Sequence, residues 1–108
     1  MSPLKITLLG GFSVKQDAQP ITKFRSAKSR ALVAYLASLP DQEHPRSLLA
    51  TLFWGDFPDK SAKTNLRIEL SSLKKLFGDH PAIEVTRQTV RLNGKLIEVD
   101  SRQFVGFI

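Results

Sequence analysis

The residues with the clearest chemical potential are basic and hydroxyl side chains within residues 59–78. At about 100° per residue, one arc of a helical wheel collects Lys60, Lys63, Thr64, Arg67, Ser71, Lys74 and Lys75. The opposite arc collects the apolar residues Ala62, Leu66, Leu70, Leu73 and Phe77. One face of such a helix packs against a core. The other face offers positive charge and hydrogen-bond donors to an anion such as nucleic-acid phosphate.

Solvation of an amphipathic helix would explain much of the same composition, but two features argue against it. From Lys60 to Lys75 there are five basic residues and one acid, so the segment carries +4 of the chain's formal +6. The acid, Glu69, is at the edge of the apolar arc. Lys60 and Lys63 also lie in the first turn, where the helix dipole disfavours a cation by roughly 0.3–1 kcal/mol. Helix stability therefore does not explain these two lysines, although it does explain Lys74 and Lys75.

Size and composition indicate one small folded domain with an anionic partner. The chain has 108 residues, a formal net charge of +6 and a pI near 10.0. The length suits a single domain, and 42% hydrophobic with 24% charged residues is typical of a folded chain. The excess of positive charge favours nucleic acid or an acidic surface as the partner.

Several other functions lack the residues that they need. The chain has no cysteine, which excludes disulfides, thiolate zinc sites and cysteine nucleophiles. His44 and His80 each precede a proline and have no second ligand at a useful spacing, so we expect no metal site and no cofactor. Because there is no Ser/His/Asp set and no acid pair on a shared helix face, we expect no enzyme.

The sequence also gives no sign of export or of a membrane. No apolar run approaches the roughly 20 residues that a membrane span needs. The N-terminus lacks the basic-then-apolar layout of a signal peptide. We therefore expect a cytoplasmic protein without a membrane partner.

Hydrophobic patterning predicts short strands before the first helix. Residues 4–9 alternate as a strand, Phe12 and Val14 begin a second, and Pro20 with Ile21 suggests a short edge strand. Together they predict a small antiparallel sheet.

Two helices are predicted next. Ser26 is the expected N-cap of the first, which runs to about Leu39. Its apolar positions are Ala31, Leu32, Tyr35, Leu36 and Leu39. Arg25, Lys28 and Arg30 make its start basic; we expect them to be solvated or paired with acids, and phosphate contact is the alternative. Pro45 suits the first position of the second helix, which Gly55 ends. Its expected inward residues are Leu48, Leu49, Leu52 and Phe53, and Trp54 is expected to be a half-buried anchor.

The third helix carries the basic face, with Asp59 expected as its N-cap and Gly78 in the C′ position. We expect one core to hold this face out to solvent. The leucines predicted to build that core are Leu32, Leu36, Leu49, Leu52, Leu66, Leu70 and Leu73.

Strands are predicted again after the third helix. Residues 83–86 and 89–92 form a hairpin with Arg87 and Gln88 at its tip. After a turn at Asn93 and Gly94, residues 96–99 are expected to pair back as a further strand. Asp100 would then cap a helix with Phe104 facing inward.

This order of elements predicts an α+β fold, a winged helix-turn-helix with an N-terminal antiparallel sheet, three helices and a C-terminal β-hairpin wing. We expect the domain to span residues 1–99, and residues 100–108 to begin a following helical segment. In this architecture the third helix, residues 60–77, enters the major groove of DNA. Arg46 and Ser47 lie in the first turn of the second helix, whose free backbone N–H groups can also hold a phosphate.

Five motifs occur in the order known from one protein family: ITLLGGFSV, FRSAKSRALVAYLA, SLLATLFW followed by an acid, NLRIELSSLKKLFG and TRQTVRLN. Together, over about residues 4–104, they closely resemble the Streptomyces antibiotic regulatory protein (SARP) family, also labelled bacterial transcriptional activators. The N-terminal domain of that family is a winged helix of the OmpR/PhoB type. The resemblance implies sequence-specific binding of double-stranded DNA at direct repeats near promoters. It also implies a following activator domain and recruitment of RNA polymerase by the full-length protein. We expect this domain to be monomeric off DNA.

The same resemblance implies which residues face the groove: Arg67, Ile68, Ser71, Ser72 and Lys74, with Thr64 before them on the same face. Arg67 is expected to donate two hydrogen bonds to guanine O6 and N7, which is worth roughly 1–3 kcal/mol of discrimination against other bases. Ile68 is expected to contact a thymine methyl or the wing. Arg87 at the tip of the wing, residues 83–92, suits a narrow adjacent minor groove, with Arg91 near phosphate. The predicted contacts from the basic face and the second helix are completed by Arg46, Lys60, Lys63 and Lys75. Several family members have arginine where this chain has Ser71, Ser72, Lys74 and Lys75.

The competing hypothesis is a winged helix that binds protein, since many such domains are adaptors. An exposed apolar patch would support an adaptor, whereas the predicted recognition face is basic. RNA binding would share the charge but needs exposed aromatic side chains on a strand platform, and we expect Phe12 and Phe24 in the core.

Overall fold

The computed structural model describes residues 3–100 and has the predicted α+β architecture. Its helices are α1 (Ala27–Ser38), α2 (Arg46–Trp54) and α3 (Asp59–Leu76). Its strands are β1 (Leu4–Thr7), β2 (Ser13–Gln16), β3 (Gln19–Ile21), β4 (His44–Pro45), β5 (Ile83–Val85), β6 (Thr89–Leu92) and β7 (Ile97–Val99). A single 3-10 turn, Gly94–Leu96, precedes β7. No helix in this part of the chain is both long enough and apolar enough to span a bilayer.

The N-terminal sheet has the strand order β3-β2-β1-β7. β1, β2 and β3 pair antiparallel, as predicted, and β3 forms the edge at which Pro20 can be tolerated. Leu4, Ile6 and Val14 point into the core and are nearly inaccessible to solvent.

The last strand joins this sheet, which the sequence did not predict. β7 lies parallel to β1, with Leu4 opposite Ile97 and Ile6 opposite Val99. The prediction that residues 96–99 pair back on the preceding hairpin was therefore wrong. Ile97 and Val99 are buried and Glu98 is exposed, and this alternation specifies an inward face without specifying which strand edge is the partner.

The second sheet contains the wing, residues 83–92, and has the strand order β4-β6-β5. β5 and β6 form the predicted hairpin, with Glu84 opposite Arg91. The two-residue strand β4 pairs with β6, His44 opposite Val90. Pro45 therefore belongs to β4 and is also the N-cap residue of α2. It was predicted to be the first helical residue, but that residue is Arg46.

The first helix begins at the predicted N-cap, but some of the residues that it buries differ from the predicted ones. The Ser29 N–H donates to Ser26 Oγ at 3.3 Å, which is the expected N-cap bond. Ala31 and Leu39 are exposed, contrary to prediction. The buried apolar residues are Leu32, Val33, Leu36 and Ala37.

The second helix buries less of its apolar surface than its sequence suggests. Leu49 is fully buried and Trp54 is 6% exposed, so Trp54 is more buried than predicted. Leu48 and Leu52, predicted to face inward, are 43% and 53% exposed. Because SLLATLFW is apolar on nearly every side, its periodicity does not identify the buried face. Gly55 follows the last helical residue as predicted.

The third helix matches the wheel closely. The whole predicted stripe is buried: Ala62, Leu66, Leu70, Leu73 and Phe77. Asp59 is the first helical residue, and Pro58 occupies the N-cap without a side-chain bond, so the predicted capping role of Asp59 was wrong. Gly78 has φ +60° and donates to the Lys75 carbonyl, while Asp79 donates to the Lys74 carbonyl. This is a Schellman C-cap.

One core joins the three helices to both sheets. Every leucine predicted for it is buried except Leu52. Phe12 and Phe24 pack against its edge, their ring centroids 5.5 Å apart, so neither is displayed on a strand platform. The predicted inward position of Phe104 lies outside the described residues.

Candidate nucleic-acid interface

A groove on the wing side of α3 brings together residues from three elements. We call it the wing-side groove. Its lining residues are Pro45, Arg46, Ser47, Lys60, Lys63, Thr64, Leu66, Arg67, Arg87 and Gln88. The first two turns of the basic face therefore lie beside the wing tip, which carries Arg87, and the start of α2, which carries Arg46.

Arg46 fixes the wing tip against α2. Its Nη1 donates to the Thr86 carbonyl at 3.0 Å, and its backbone N–H donates to the Gln88 carbonyl at 2.8 Å. Within the tip, Thr86 Oγ1 accepts from the N–H groups of Gln88 and Thr89 at 3.2 and 2.9 Å. These bonds hold the turn that carries Arg87, which is exposed and lines the groove.

A second groove follows the C-terminal half of α3 toward the start of α1. We call it the α1-side groove. Its lining residues are Arg25, Arg67, Ile68, Ser71, Ser72 and Lys75. Arg67 lines both grooves and so occupies the centre of the basic face. Ile68 is 43% exposed, as its predicted groove-facing position requires.

The electrostatics of the two grooves have one sign. Of the residues that line them, Arg25, Arg46, Lys60, Lys63, Arg67, Lys75 and Arg87 carry positive charge, and none is acidic. The two acids of α3 are Asp59, its first residue, which lines neither groove, and Glu69, which is 1% exposed. The Glu69 carboxylate is buried and lines neither groove, so every lining side chain is either positively charged or neutral.

The remaining predicted contacts have different surroundings. Lys74 is exposed but lines neither groove. The Thr64 hydroxyl donates to the Lys60 carbonyl at 3.0 Å, which leaves its oxygen to accept a bond. Arg91 also lies outside both grooves, and its Nε and Nη2 donate to the Glu84 carboxylate at 2.9 and 3.3 Å. That hydrogen bonding raises the pKa of Arg91. Its phosphate contact stays a prediction.

Five lining residues are outside the predicted contact set: Arg25, Pro45, Ser47, Leu66 and Gln88. Arg25 precedes the N-cap of α1, and only the packing of α1 on α3 brings it to the basic face. Ser47 and Gln88 adjoin the predicted residues Arg46 and Arg87, and the Gln88 carbonyl accepts from the Arg46 N–H. The sequence showed a basic start to α1, without showing what it faces.

Two other sequence candidates belong to the scaffold. Lys28 lies over the rings of Trp54 and Phe57, with its Nζ 5.5 Å from each centroid, so Trp54 packs under a cation. His44 is fully buried against Tyr35, with ring centroids 5.2 Å apart. Among residues 3–100, no cluster of three or more His, Asp or Glu side chains has a geometry that would hold a metal ion.

Comparison with known proteins identifies the fold. No protein-family model matches the chain. No curated protein matches it either. Among solved structures, it is similar to Mycobacterium tuberculosis EmbR in complex with a low-affinity phosphopeptide, with a TM-score of 0.79 and 23% sequence identity. The similarity covers 98% of this chain and 29% of the EmbR chain. At this identity the comparison establishes the backbone fold, and the chain is thus a winged-helix domain of the kind found within EmbR.

Proposed function

We propose that the chain is a sequence-specific binder of double-stranded DNA. The observation that carries the proposal is the wing-side groove, where cations from α2, α3 and the wing converge with no acid among them. Phosphate contacts of this kind supply most of the affinity of DNA-binding proteins. A solvated helix face would not need to be aligned with cations from two other elements.

The dimensions of α3 suit the major groove. An α-helix with side chains is about 10–12 Å across, and the major groove of B-DNA is about 12 Å wide. With residues 60–77 in that groove, the wing, residues 83–92, lies toward the adjacent minor groove. Arg87 at its tip then suits the negative potential of a narrow minor groove.

The contacts divide into two kinds in this proposal. Arg67, at the centre of the basic face, reads guanine O6 and N7 as a bidentate donor, and exposed Ile68 packs on a thymine methyl. Lysine ammonium groups are compact point charges, so Lys60, Lys63 and Lys75 contact phosphates. The hydroxyls of Ser71 and Ser72 add shorter contacts within the α1-side groove.

The regulatory role is the part of the proposal that the family resemblance supplies. A SARP-like transcriptional regulator would bind direct repeats near promoters and recruit RNA polymerase through its full-length form. The fold shared with EmbR supports a domain of that type. The chain spans 29% of the EmbR chain, so these activities belong to the proposal for a longer protein.

Fluorescence anisotropy of labelled duplex DNA, titrated over a salt series with a polyanion competitor, tests the proposal. The grooves hold enough cations for a slope of log K against log[salt] of about −3 to −6, at about 0.9 per neutralised phosphate. Lys63→Ala should weaken binding to all duplexes and flatten this slope by about one unit.

Lys15→Ala is the matched control, because Lys15 is exposed on β2 and lines neither groove. It should leave the slope unchanged. Absence of duplex binding at about 50 mM salt would contradict the proposal, and so would equal losses from Lys15→Ala and Lys63→Ala. Absence of binding would favour the adaptor hypothesis, whereas equal losses would indicate charge attraction that does not depend on the grooves.

A further inference from the structure

The α1-side groove contains a cation that is held by a buried acid. Arg25, the residue before the N-cap of α1, lines this groove with a side chain that is 52% exposed. Its Nη1 lies 4.0 Å from Oε1 of Glu69 on α3, whose side chain is 1% exposed. The pair connects the start of α1 to the middle of the basic helix.

The carboxylate of Glu69 is fixed by a second contact. Ser29 Oγ, also fully buried, donates to Glu69 Oε2 at 2.5 Å. Ser29 belongs to the first turn of α1, where its backbone N–H donates to the side chain of the N-cap residue, Ser26. A buried carboxylate needs such partners, and with one oxygen held by Ser29 the other attracts the nearest cation, Arg25.

We infer that Arg25 is a DNA phosphate contact and that Glu69 is its positioning residue. The inference rests on the proposed DNA binding; it selects for Arg25 the phosphate contact that the sequence left as an alternative, and it adds the role of Glu69. A guanidinium has five N–H donors, so the approach of Nη1 to Glu69 leaves donors for a phosphate oxygen. Arg67 and Lys75 line the same groove, and an anion among three cations relieves their mutual repulsion.

The position of the groove indicates which strand Arg25 contacts. A helix in the major groove has a phosphate backbone on each flank, since its diameter is close to the groove width. The wing-side groove lies on one flank of α3, and the α1-side groove lies on the other toward its C-terminal half. Arg25 and Lys75 therefore hold the backbone opposite the one that the wing-side groove contacts.

The first test replaces Arg25, with Arg30 as a matched control. Arg30 is exposed on the same helix and lines neither groove. Arg25→Ala should weaken binding to duplex DNA roughly tenfold and flatten the salt slope by about 0.9. Arg30→Ala should change neither quantity. Arg25→Lys keeps the charge and should restore the slope, because the slope counts neutralised phosphates.

A double-mutant cycle on DNA affinity tests the positioning role of Glu69. Glu69→Gln can still accept from Ser29 but no longer carries the charge that attracts Arg25. The lost negative charge itself acts on DNA equally with and without Arg25, so it cancels in the cycle. We expect Glu69→Gln to lower affinity about threefold more with Arg25 present than in the Arg25→Ala background.

Each result has one meaning. If the unmodified protein binds duplex DNA and Arg25→Ala matches it in affinity and slope, the inference is overturned while the proposed function stands. If Glu69→Gln acts equally in both backgrounds, its positioning role is overturned. If the unmodified protein does not bind duplex DNA, the proposed function and this inference both fail. Circular dichroism of each variant confirms that the fold is retained.

Discussion

Two leucines of α2 provide a sharp comparison between the sequence pattern and the structure. Leu49 and Leu52 were both predicted to face inward. In the structure Leu49 is 0% exposed and Leu52 is 53% exposed. The same substitution, leucine to alanine, should therefore have very different costs at two positions of one short helix.

The expected magnitudes follow from burial. Leu49→Ala leaves a cavity in the core, and such changes cost about 3–5 kcal/mol of unfolding free energy. Full burial of a leucine side chain is worth about 1.5–3 kcal/mol. Since Leu52 keeps half of its surface in water and can leave no closed cavity, Leu52→Ala should cost about 0.5–1 kcal/mol.

Urea unfolding followed by circular dichroism measures both values. With an m value near 2 kcal/mol/M, Leu49→Ala should lower the midpoint by about 1.5–2.5 M and Leu52→Ala by at most about 0.5 M. Duplex affinity should be unchanged in Leu52→Ala. Equal midpoint shifts for the two variants would refute the burial assignment of α2 and restore the inward position that the sequence suggested.

Three further predictions concern other parts of the domain. Arg67→Ala should weaken a specific site about 5- to 150-fold more than random DNA, from the loss of about 1–3 kcal/mol of base discrimination; equal losses in anisotropy titrations would refute base reading. Gly78→Ala should lower the unfolding free energy by about 1–2 kcal/mol, because alanine is strained at φ +60°; an unchanged melting curve would argue against the Schellman cap. The Asp100 carboxylate accepts from the N–H groups of Leu8 and Leu9 at 2.7 and 3.0 Å. Asp100→Ala should therefore cost about 1–3 kcal/mol in urea unfolding, and no loss would contradict this tie to the end of β1.

The sequence predicted the elements well where one periodicity dominated. In α3 the apolar and basic residues separate into opposite arcs, so both the buried stripe and the exposed face followed from the wheel. In α2 the residues are apolar on most sides, and burial depends on where α3 packs. Leu48 and Leu52 could not be placed from the sequence, because no local signal identifies the packed side.

Long-range placement was the other limit. Ile97 and Val99 predicted a strand but not its parallel pairing with β1, because alternation fixes a face without choosing a sheet. In the same way the sequence showed a basic start to α1, but the approach of Arg25 to Glu69 depends on how the helices pack. The wing-side groove was anticipated more fully, since its cations belong to elements whose order alone predicted a winged helix.

Selection from a library of random duplexes would test the central claim most directly, namely that the basic face of α3 reads DNA sequence. The domain would be used to enrich duplexes, and the recovered sequences would be titrated beside random DNA at one fixed salt concentration. We expect a shared motif and an affinity about 10³-fold or more above that for random DNA. Recovered duplexes without a common sequence, bound no more tightly than random DNA, would contradict it.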